Sequence, residues 1–256
     1  MKKSLKIMVP VVAVGAMALL PGVASAQASG TSYQAQLNQV NSSGASGTVT
    51  VALNGNTATI KENVSGLAAT FMNAPFPHVQ HIHGGGMGQC PAPSADTNGD
   101  GVISTKEGGP AYGGIQTTLS VSGGTTPADG TDVKIAPSGA SYTYSRTITL
   151  DADTLASLKG GKAVVVVHGL DPSKLSKQAQ GEKSSVAPSL PLAATAPALC
   201  GVLAVSQMSA IPAGAADTGS GSSAGDNAEL IAGGVGALAV AAVGGAALSR
   251  RRRTEG

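Results

Sequence analysis

Alternating hydrophobic and polar residues predict a protein made mainly of β-strands. Residues 48–53 alternate and lead into Asn54-Gly55-Asn56, a hairpin turn signal, after which residues 57–64 form the partner strand. Further strands are predicted at residues 32–37, 115–121, 142–150, 163–169 and 201–207. In this part of the chain, the one helical pattern covers residues 151–158. Many short strands separated by Gly and Pro favour an all-β fold, an antiparallel Greek-key β-barrel or sandwich.

The amino-terminal end has the pattern of a secretory signal peptide, which we assign to residues 1–26. Basic residues precede an apolar run over residues 7–20, and Ala24-Ser25-Ala26 provides a small-residue cleavage site. A short amino-terminal membrane helix is the alternative. Cleavage before Gln27 predicts that the rest of the chain is exported.

The carboxy-terminal end predicts a membrane anchor. Residues 230–249 carry no charge and are numerous enough to span a bilayer, and the basic tail 250–256 begins with four arginines. A buried core helix is the alternative, but its Gly-Gly pairs disfavour a helix in water. Residues 211–229 are rich in Gly, Ser, Ala and Asp, which predicts a flexible linker. The pattern therefore predicts a domain held at the cell surface by a carboxy-terminal transmembrane helix, with the tail in the cytoplasm.

Residues 27–210 are enough for one folded domain, and their charge argues against nucleic acid as a partner. The net charge of +2 counts three lysines and four arginines at the two ends and the acidic Glu255; without them the remainder has a net charge of −4. The chain also has no Trp and two Phe, so it lacks aromatic platforms for bases. Protein partners cannot be read from these features.

Cys90 and Cys200 are the two cysteines of the chain. Export places them in an oxidising compartment, so one long-range disulfide is expected. Two free thiols are the alternative, although neither cysteine has a CxxC partner.

Three of the four histidines lie within residues 77–84. In an extended strand His81 and His83 point to the same face, and His168 ends a second strand that is strongly apolar. Three imidazoles from two strands predict a metal site, whereas a His-x-His pair alone is often structural. His78 should face the opposite side, as a hydrogen-bonded structural residue, unless the strand bulges.

Residues 96–107 match the twelve-residue calcium loop of EF-hands. Gly101 occupies the position of the sharp turn, and Ile103 the usual apolar position. A polar turn is the alternative. Pro and Gly residues on both sides predict that EF-hand helices do not flank the loop, so calcium would stiffen it. The predicted ligands are Asp96, Asn98, Asp100, the Val102 carbonyl, Ser104 and Glu107.

The chain resembles the Cu,Zn superoxide dismutase superfamily and its relative, the CHRD (chordin-like) domain. The likeness covers about residues 31–208 and rests on His81-Ile82-His83-Gly84, Cys90, Val166-Val167-His168-Gly169 and Leu199-Cys200-Gly201-Val202, with Tyr33-Gln34-Ala35-Gln36-Leu37 and Val64-Ser65-Gly66-Leu67 closer to CHRD. The resemblance implies an antiparallel Greek-key fold with Cys90 bonded to Cys200. It also implies that His81, His83 and His168 bind copper.

Two departures from the dismutases bear on function. The chain has no histidine between His83 and His168, so the residue that bridges copper and zinc is missing and zinc is not expected. Pro197 stands where the dismutases carry the arginine that attracts superoxide. Copper binding, with dismutation of superoxide as a further step, is therefore the first hypothesis. A non-enzymatic CHRD-type module stabilised by calcium and a disulfide, and a copper-buffering protein, are the alternatives.

Overall fold

A computed structural model describes residues 30–206 of the chain. The helices are few and short: α1 (Thr105–Tyr112), α2 (Ala152–Lys159), α3 (Lys177–Gly181) and α4 (Leu192–Thr195), with single 3-10 turns at Pro93–Ala95, Pro127–Asp129, Val133–Ile135 and Pro172–Lys174. The strands are β1 (Thr31–Gln39), β2 (Ser46–Asn54), β3 (Thr57–Ser65), β4 (Thr70–Phe71), β5 (Ala74–Pro75), β6 (Gln80–Gly85), β7 (Gly113–Thr118), β8 (Ser141–Thr149), β9 (Val164–His168), β10 (Pro197–Val202) and β11 (Ala204–Val205).

Nine strands form one antiparallel sheet in the order β7-β6-β9-β10-β1-β2-β3-β8, with β11 also paired to β1. Strands β4 and β5 make a separate small hairpin. The predicted all-β antiparallel class is confirmed. The strand order brings β6 and β9, which carry the histidines, side by side although they are far apart in sequence.

The sheet curls around one hydrophobic core. Alternate residues of its long strands, such as Leu37, Val51 and Ile60, point into this core together with Ile82 and Val167. The two end strands of the sheet approach each other and are linked by Arg146 on β8. Its guanidinium donates to the carbonyl and hydroxyl of Ser120 and to the carbonyl of Gly123, just beyond β7. Burying the inner face on both halves of the curl supplies most of the driving force for folding.

Strand β9 is buried on both faces. Val165 and Val167 enter the main core, whereas Val164 and Val166 pack into a second, smaller core on the outer face of the sheet. His168 follows these two valines at a spacing of two, so it also lies on the outer face. The metal-ligand candidates therefore sit outside the curled sheet, beneath the loops that cover it.

The predicted strands are found with shifts of a few residues, apart from the last. Residues 201–207 were expected to form one strand, but β10 begins at Pro197 and β11 is a separate short strand. Helix α2 matches the predicted helix at residues 151–158. The expectation that this is the one helix is wrong, because α1 also forms. Its Gly108, Gly109 and Pro110 are poor helix formers, so the sequence pattern does not predict it.

Helix α1 forms despite its poor helix formers because its first turn is capped on both sides. The Ser104 hydroxyl accepts from the Glu107 amide, and the Glu107 carboxylate accepts from the Ser104 amide, which completes a capping box. Tyr112 at the other end is buried and fixed by a hydrogen bond from its hydroxyl to the Thr105 carbonyl. Local capping and tertiary packing together outweigh intrinsic propensity here.

The predicted signal peptide at residues 1–26, linker at 211–229, anchor at 230–249 and tail at 250–256 lie outside the described residues. Within residues 30–206, no helix combines the length and the apolar character needed to cross a membrane.

Glu62 is a fully buried carboxyl in the main core. It lies on β3 opposite Tyr144 of β8, at an inward position of the same alternation that places Ile60 and Val64 in the core. Neither carboxyl oxygen has a hydrogen-bond partner among the described residues that meets geometric criteria, although the Gln80 side chain is close enough to lower its pKa slightly. Loss of water dominates and raises the pKa of Glu62 from 4.5 to about 8. Glu62 is therefore a neutral acid at pH 7.

We expect Glu62→Gln to stabilise the domain at pH 8 and to have little effect at pH 4.5. The folded state holds the Glu62 proton up to about pH 8 while the unfolded state releases it near pH 4.5. Stability linked to this proton is therefore full below pH 4.5 and is lost at up to about 1.4 kcal/mol per pH unit as the pH rises to 8. Urea unfolding of both proteins across this range measures the difference.

Asp153→Asn, which removes an exposed carboxylate from the first turn of α2, is the control and should not show this pH window. Equal pH dependence of wild type and Glu62→Gln would contradict the assignment of a buried neutral acid.

Candidate metal centre

His81, His83 and His168 converge on the outer face of the sheet. His81 pairs with Val166 across the β6–β9 ladder, and a bulge between Ile82 and His83 shifts the register on the other side of β6. One ring nitrogen of each histidine lies within 4.8 Å of those of the other two. The three rings are almost completely buried, with 2–3% of their surface exposed. The sequence prediction that these three residues meet is confirmed, and the cluster could hold a metal ion.

Each of the three imidazoles is fixed by a main-chain carbonyl. His81 Nε2 lies 2.9 Å from the Gly130 carbonyl oxygen, His83 Nδ1 3.0 Å from that of Gly113, and His168 Nδ1 2.6 Å from that of Thr195. A carbonyl oxygen only accepts, so these three nitrogens carry the proton. The remaining nitrogens, Nδ1 of His81 and Nε2 of the other two, are therefore unprotonated.

These three unprotonated nitrogens have no hydrogen-bond donor among residues 30–206, and all three are buried. Buried polar atoms are nearly always paired, so three unpaired acceptors in one place need an explanation. The ring centroids of His81 and His168 are 5.2 Å apart and those of His83 and His168 6.0 Å apart, which leaves space between the rings. A cation accepting all three lone pairs would satisfy them together.

Burial keeps the three imidazoles neutral. Loss of water, followed by the charge that a neighbouring histidine would carry, lowers the pKa of His83 to about 3 and that of His81 well below 6.5. Loss of water also lowers the pKa of His168 to about 4, against a smaller opposite effect of the Thr195 carbonyl. Protons therefore do not compete for the lone pairs at neutral pH, and neutral imidazole is the form that binds metals.

A cavity of about 210 Å³ opens in front of the three rings. The side chains of Val79, Ile115 and Val186 line it, together with the ring of Tyr112, whose centroid is 4.7 Å from that of His83. Among the residues that line this cavity, none is Asp, Glu, Lys or Arg. The histidines therefore face a small, mostly apolar and uncharged space.

His78 lies outside this cluster, as predicted. Its Nδ1 is 2.9 Å from the His168 carbonyl oxygen and its Nε2 is 2.9 Å from that of Ala68. Burial lowers the pKa of His78, while the two carbonyls oppose the shift. A neutral imidazole carries one N–H and can donate to only one of these two carbonyls. Both ring nitrogens nevertheless face the main chain, so His78 turns no lone pair toward the cavity.

Asp171 follows His168 by three residues and is the nearest carboxylate to that histidine in sequence. Its carboxylate accepts from the amide and hydroxyl of Ser173 and caps the 3-10 turn Pro172–Lys174. Main-chain carbonyls, not carboxylates, therefore orient the three histidines.

The calcium-type loop is compact and rich in hydrogen bonds. The Asp96 carboxylate accepts from the amides of Gly99 and Gly101, and the Asp100 carboxylate accepts from the Val102 amide. Glu107 accepts from Thr97 and Ser104; desolvation opposes ionisation, but these hydrogen bonds lower its pKa to about 2. The exiting segment is helix α1, so the prediction that no helix flanks the loop is wrong on that side, while the entering side is a 3-10 turn.

An acidic residue not predicted from the sequence stands beside this loop. Glu182 accepts from the Asn98 side chain at 3.4 Å. Loss of water, then the negative charges of Asp100 and Glu107, raises the pKa of Glu182. Glu182 is 75 residues beyond Glu107 in the chain, so spacing alone offered no signal for it.

Cys90 and Cys200 form a disulfide with a Cα–Cα distance of 5.7 Å, as expected. It ties the loop after β6 to β10, beside the outer core that contains Val164 and Val166. The bond closes a sequence separation of 110 residues, which strongly restricts the unfolded chain.

A scan against protein-family models and a search of curated proteins find no match to this chain.

In the metal-free protein, we expect His83→Asn to reduce the loss of stability on acidification. An Asn side chain can still donate to the Gly113 carbonyl, but it does not titrate. In wild type, the unfolded state takes up protons near pH 6.5 that the buried histidines refuse until about pH 3 to 4. Stability is therefore full above pH 6.5 and falls as the pH drops, by about 1.4 kcal/mol per pH unit for each histidine.

Urea unfolding from pH 7 to pH 4.5 in the presence of a chelator measures this slope. The variant should take up one proton fewer on unfolding than wild type does. The contribution of Glu62 is common to both proteins and cancels in the comparison. Identical slopes would show that His83 protonates as readily in the folded as in the unfolded state.

Proposed function

We propose that this protein is an exported copper-binding domain, anchored in the cell membrane by its carboxy-terminal segment. The observation that carries the proposal is the set of three buried, unprotonated and unpaired nitrogens of His81, His83 and His168. A fold that only needed to be stable would not collect three unsatisfied acceptors in one cavity. The signal peptide pattern and the apolar carboxy-terminal stretch support export and anchoring.

Copper fits this donor set best. Three neutral imidazoles suit copper and zinc, and copper has the higher intrinsic affinity for nitrogen ligands. His81 would bind through Nδ1 and the other two through Nε2, because their opposite nitrogens donate to carbonyls. Bound copper would supply one-electron redox chemistry; the chain itself orients the three imidazoles and excludes charged groups from their surroundings.

We further propose that the domain is a Greek-key member of the superoxide dismutase and CHRD superfamily. The antiparallel sheet, the pairing of Cys90 with Cys200 and the contribution of histidines from β6 and β9 support this assignment. The region between His83 and β7, which would form the zinc loop of a dismutase, contains the calcium-type loop instead.

We propose calcium as a second, structural ion bound by the loop 96–107. The spacing of Asp96, Asn98, Asp100, Ser104 and Glu107 supports it, with the Val102 carbonyl as a further ligand. Loss of water and then the negative charges of Asp100 and Glu107 raise the pKa of Glu182. The crowded charges also support a cation here, since a divalent ion would relieve their repulsion.

The main alternative is a non-enzymatic CHRD-type module in which the histidines are structural. The unpaired nitrogens argue against it, because three buried acceptors without donors converge on one point, whereas both nitrogens of the structural His78 face main-chain carbonyls. Dismutation of superoxide is a second candidate activity for the copper-loaded domain, but within residues 30–206 no cationic side chain lines the cavity to attract that anion. Comparing superoxide consumption by the copper-loaded domain, its His168→Ala variant and free copper decides whether the site is catalytic.

We expect the mature domain to bind about one copper ion per chain, and His83→Ala and His83→Asn to abolish this binding. His83→Asn is the sharper test, because it preserves a donor to the Gly113 carbonyl and removes only the Nε2 ligand. Metal analysis after gel filtration measures the stoichiometry, and circular dichroism checks that both variants fold. Asp171→Asn, which alters a partly exposed cap three residues after His168, is the control and should keep its copper. Copper content unchanged in folded His83→Asn would refute the site.

We expect calcium to raise the melting temperature of the domain and a calcium chelator to lower it. An ion that binds only the folded state stabilises it by about 2.7 kcal/mol at one hundred times its dissociation constant. Asp100→Asn should weaken the response, whereas Asp132→Asn, in the cap of a different turn, should not. A melting temperature indifferent to calcium in wild type would leave a polar turn at residues 96–107.

A further inference from the structure

We propose that the cavity lining makes this centre selective for monovalent copper over divalent copper and zinc, so that it holds copper in the reduced state. The inference rests on the proposed function, since it concerns the same three histidines. The selectivity would follow from the ligands, from the carbonyls that orient them and from the residues that line the cavity. Together these groups provide lone pairs but no negative charge.

The ligands bring no negative charge into the site. All three imidazoles are neutral, and the partners that orient them are the carbonyls of Gly113, Gly130 and Thr195. Many metal-bound histidines donate instead to a carboxylate, which passes part of its negative charge toward the metal. The nearest carboxylate in sequence to His168 that could do so, Asp171, is occupied by Ser173.

The residues that line the cavity bring no negative charge either. Val79, Ile115 and Val186 line the cavity, and the hydroxyl of Thr105, another lining residue, donates to the Thr195 carbonyl. Within residues 30–206, none of the residues that line the cavity is Asp, Glu, Lys or Arg. A cation placed between the rings would therefore have no counter-charge beside it.

Ionic charge decides which cation tolerates such a place. The cost of moving an ion from water to a poorly polarisable interior grows with the square of its charge, so a divalent ion loses about four times as much hydration energy as a monovalent ion of similar size. Carboxylate ligands or neighbours normally compensate divalent ions. Three neutral nitrogens in an apolar cavity satisfy a monovalent, polarisable ion with less need for such compensation.

This selectivity bears on the choice between functions. A site that dismutates superoxide must pass between both oxidation states, whereas a site that strongly favours one state keeps its ion. The apolar lining therefore favours copper buffering or transfer at the cell surface over redox cycling.

The experiment compares affinities for the two oxidation states and adds a charge to the cavity wall. Val186 lines the cavity and is 50% exposed, so its replacement should not disturb the core. Val186→Glu places a carboxylate near the histidines, and Val186→Gln is its uncharged match. Thr131→Asp and Thr131→Asn form a second pair at another exposed point of the lining.

Cu(I) affinity is measured by competition with bathocuproine disulfonate under anaerobic conditions. Zn(II) affinity is measured with a chromophoric chelator, and the copper potential by voltammetry.

In wild type we expect Cu(I) to bind at least about 100-fold more tightly than Cu(II) or Zn(II), and the potential to lie above that of aqueous copper. A carboxylate attracts a divalent ion about twice as strongly as a monovalent one at equal distance, so each acidic variant should gain about 10-fold in Cu(I) affinity and about 100-fold in Zn(II) affinity over its amide match. The potential should fall in the acidic variants alone.

Wild-type protein that binds Zn(II) or Cu(II) as tightly as Cu(I) would overturn the inference while leaving the metal site intact. Acidic and amide variants that are indistinguishable in both pairs would also overturn it, since the lining charge would then have no influence. Protein that binds none of the three ions, and behaves like His83→Asn in every assay, would instead remove the proposed function on which the inference rests.

Discussion

Every feature of the candidate metal centre depends on one hydrogen-bonding constraint: each imidazole has one nitrogen tied to a main-chain carbonyl. That bond fixes which nitrogen carries the proton and turns the other lone pair toward the cavity. The carbonyls come from three separate places, namely the end of α1, the turn after Pro127–Asp129 and the end of α4. The loops over the outer face of the sheet therefore do more than cover the site, because their backbone determines which nitrogen of each imidazole carries the proton.

Helix α1 connects the two proposed cation sites. It begins at the capping box of Ser104 and Glu107, within the calcium-type loop, and ends beside Gly113, whose carbonyl holds His83. Its first residue, Thr105, also donates to the Thr195 carbonyl that holds His168. An ion that orders residues 96–107 would thus act on a rigid element in contact with the partners of two ligands. An occupied loop would therefore stabilise the candidate metal centre as well as the fold.

The sequence predicts the sheet and the ligands much better than it predicts their supports. Strands β1, β2, β3 and β8 follow from the alternation of polar and apolar residues, and the shared face of His81 and His83 follows from the two-residue period of a strand. Helix α1 was missed because Gly108, Gly109 and Pro110 are poor helix formers, and its capping box and the burial of Tyr112 outweigh them. The three carbonyls could not be predicted, since every residue has one and tertiary structure alone decides which meets a histidine. A partial signal exists in the glycines: a Cβ at Gly113 would collide with the Gly84 backbone, and one at Gly130 would come within 3.2 Å of His81 Nε2.

Glu62 and the three histidines show why the cavity points to a metal and not merely to tolerated strain. A buried carboxylate without partners can become neutral by taking up a proton, and burial raises the pKa of Glu62 enough for this to happen near neutral pH. The histidines cannot be satisfied by taking up protons in this way. They are already neutral, and a proton on any free nitrogen would create a buried positive charge beside two other rings. Hydrogen-bond donors are also absent from their free nitrogens among the described residues. A cation shared by all three rings satisfies them most completely, because one ion answers three lone pairs at the cost of burying one charge, whereas a water molecule can donate to two of them at most.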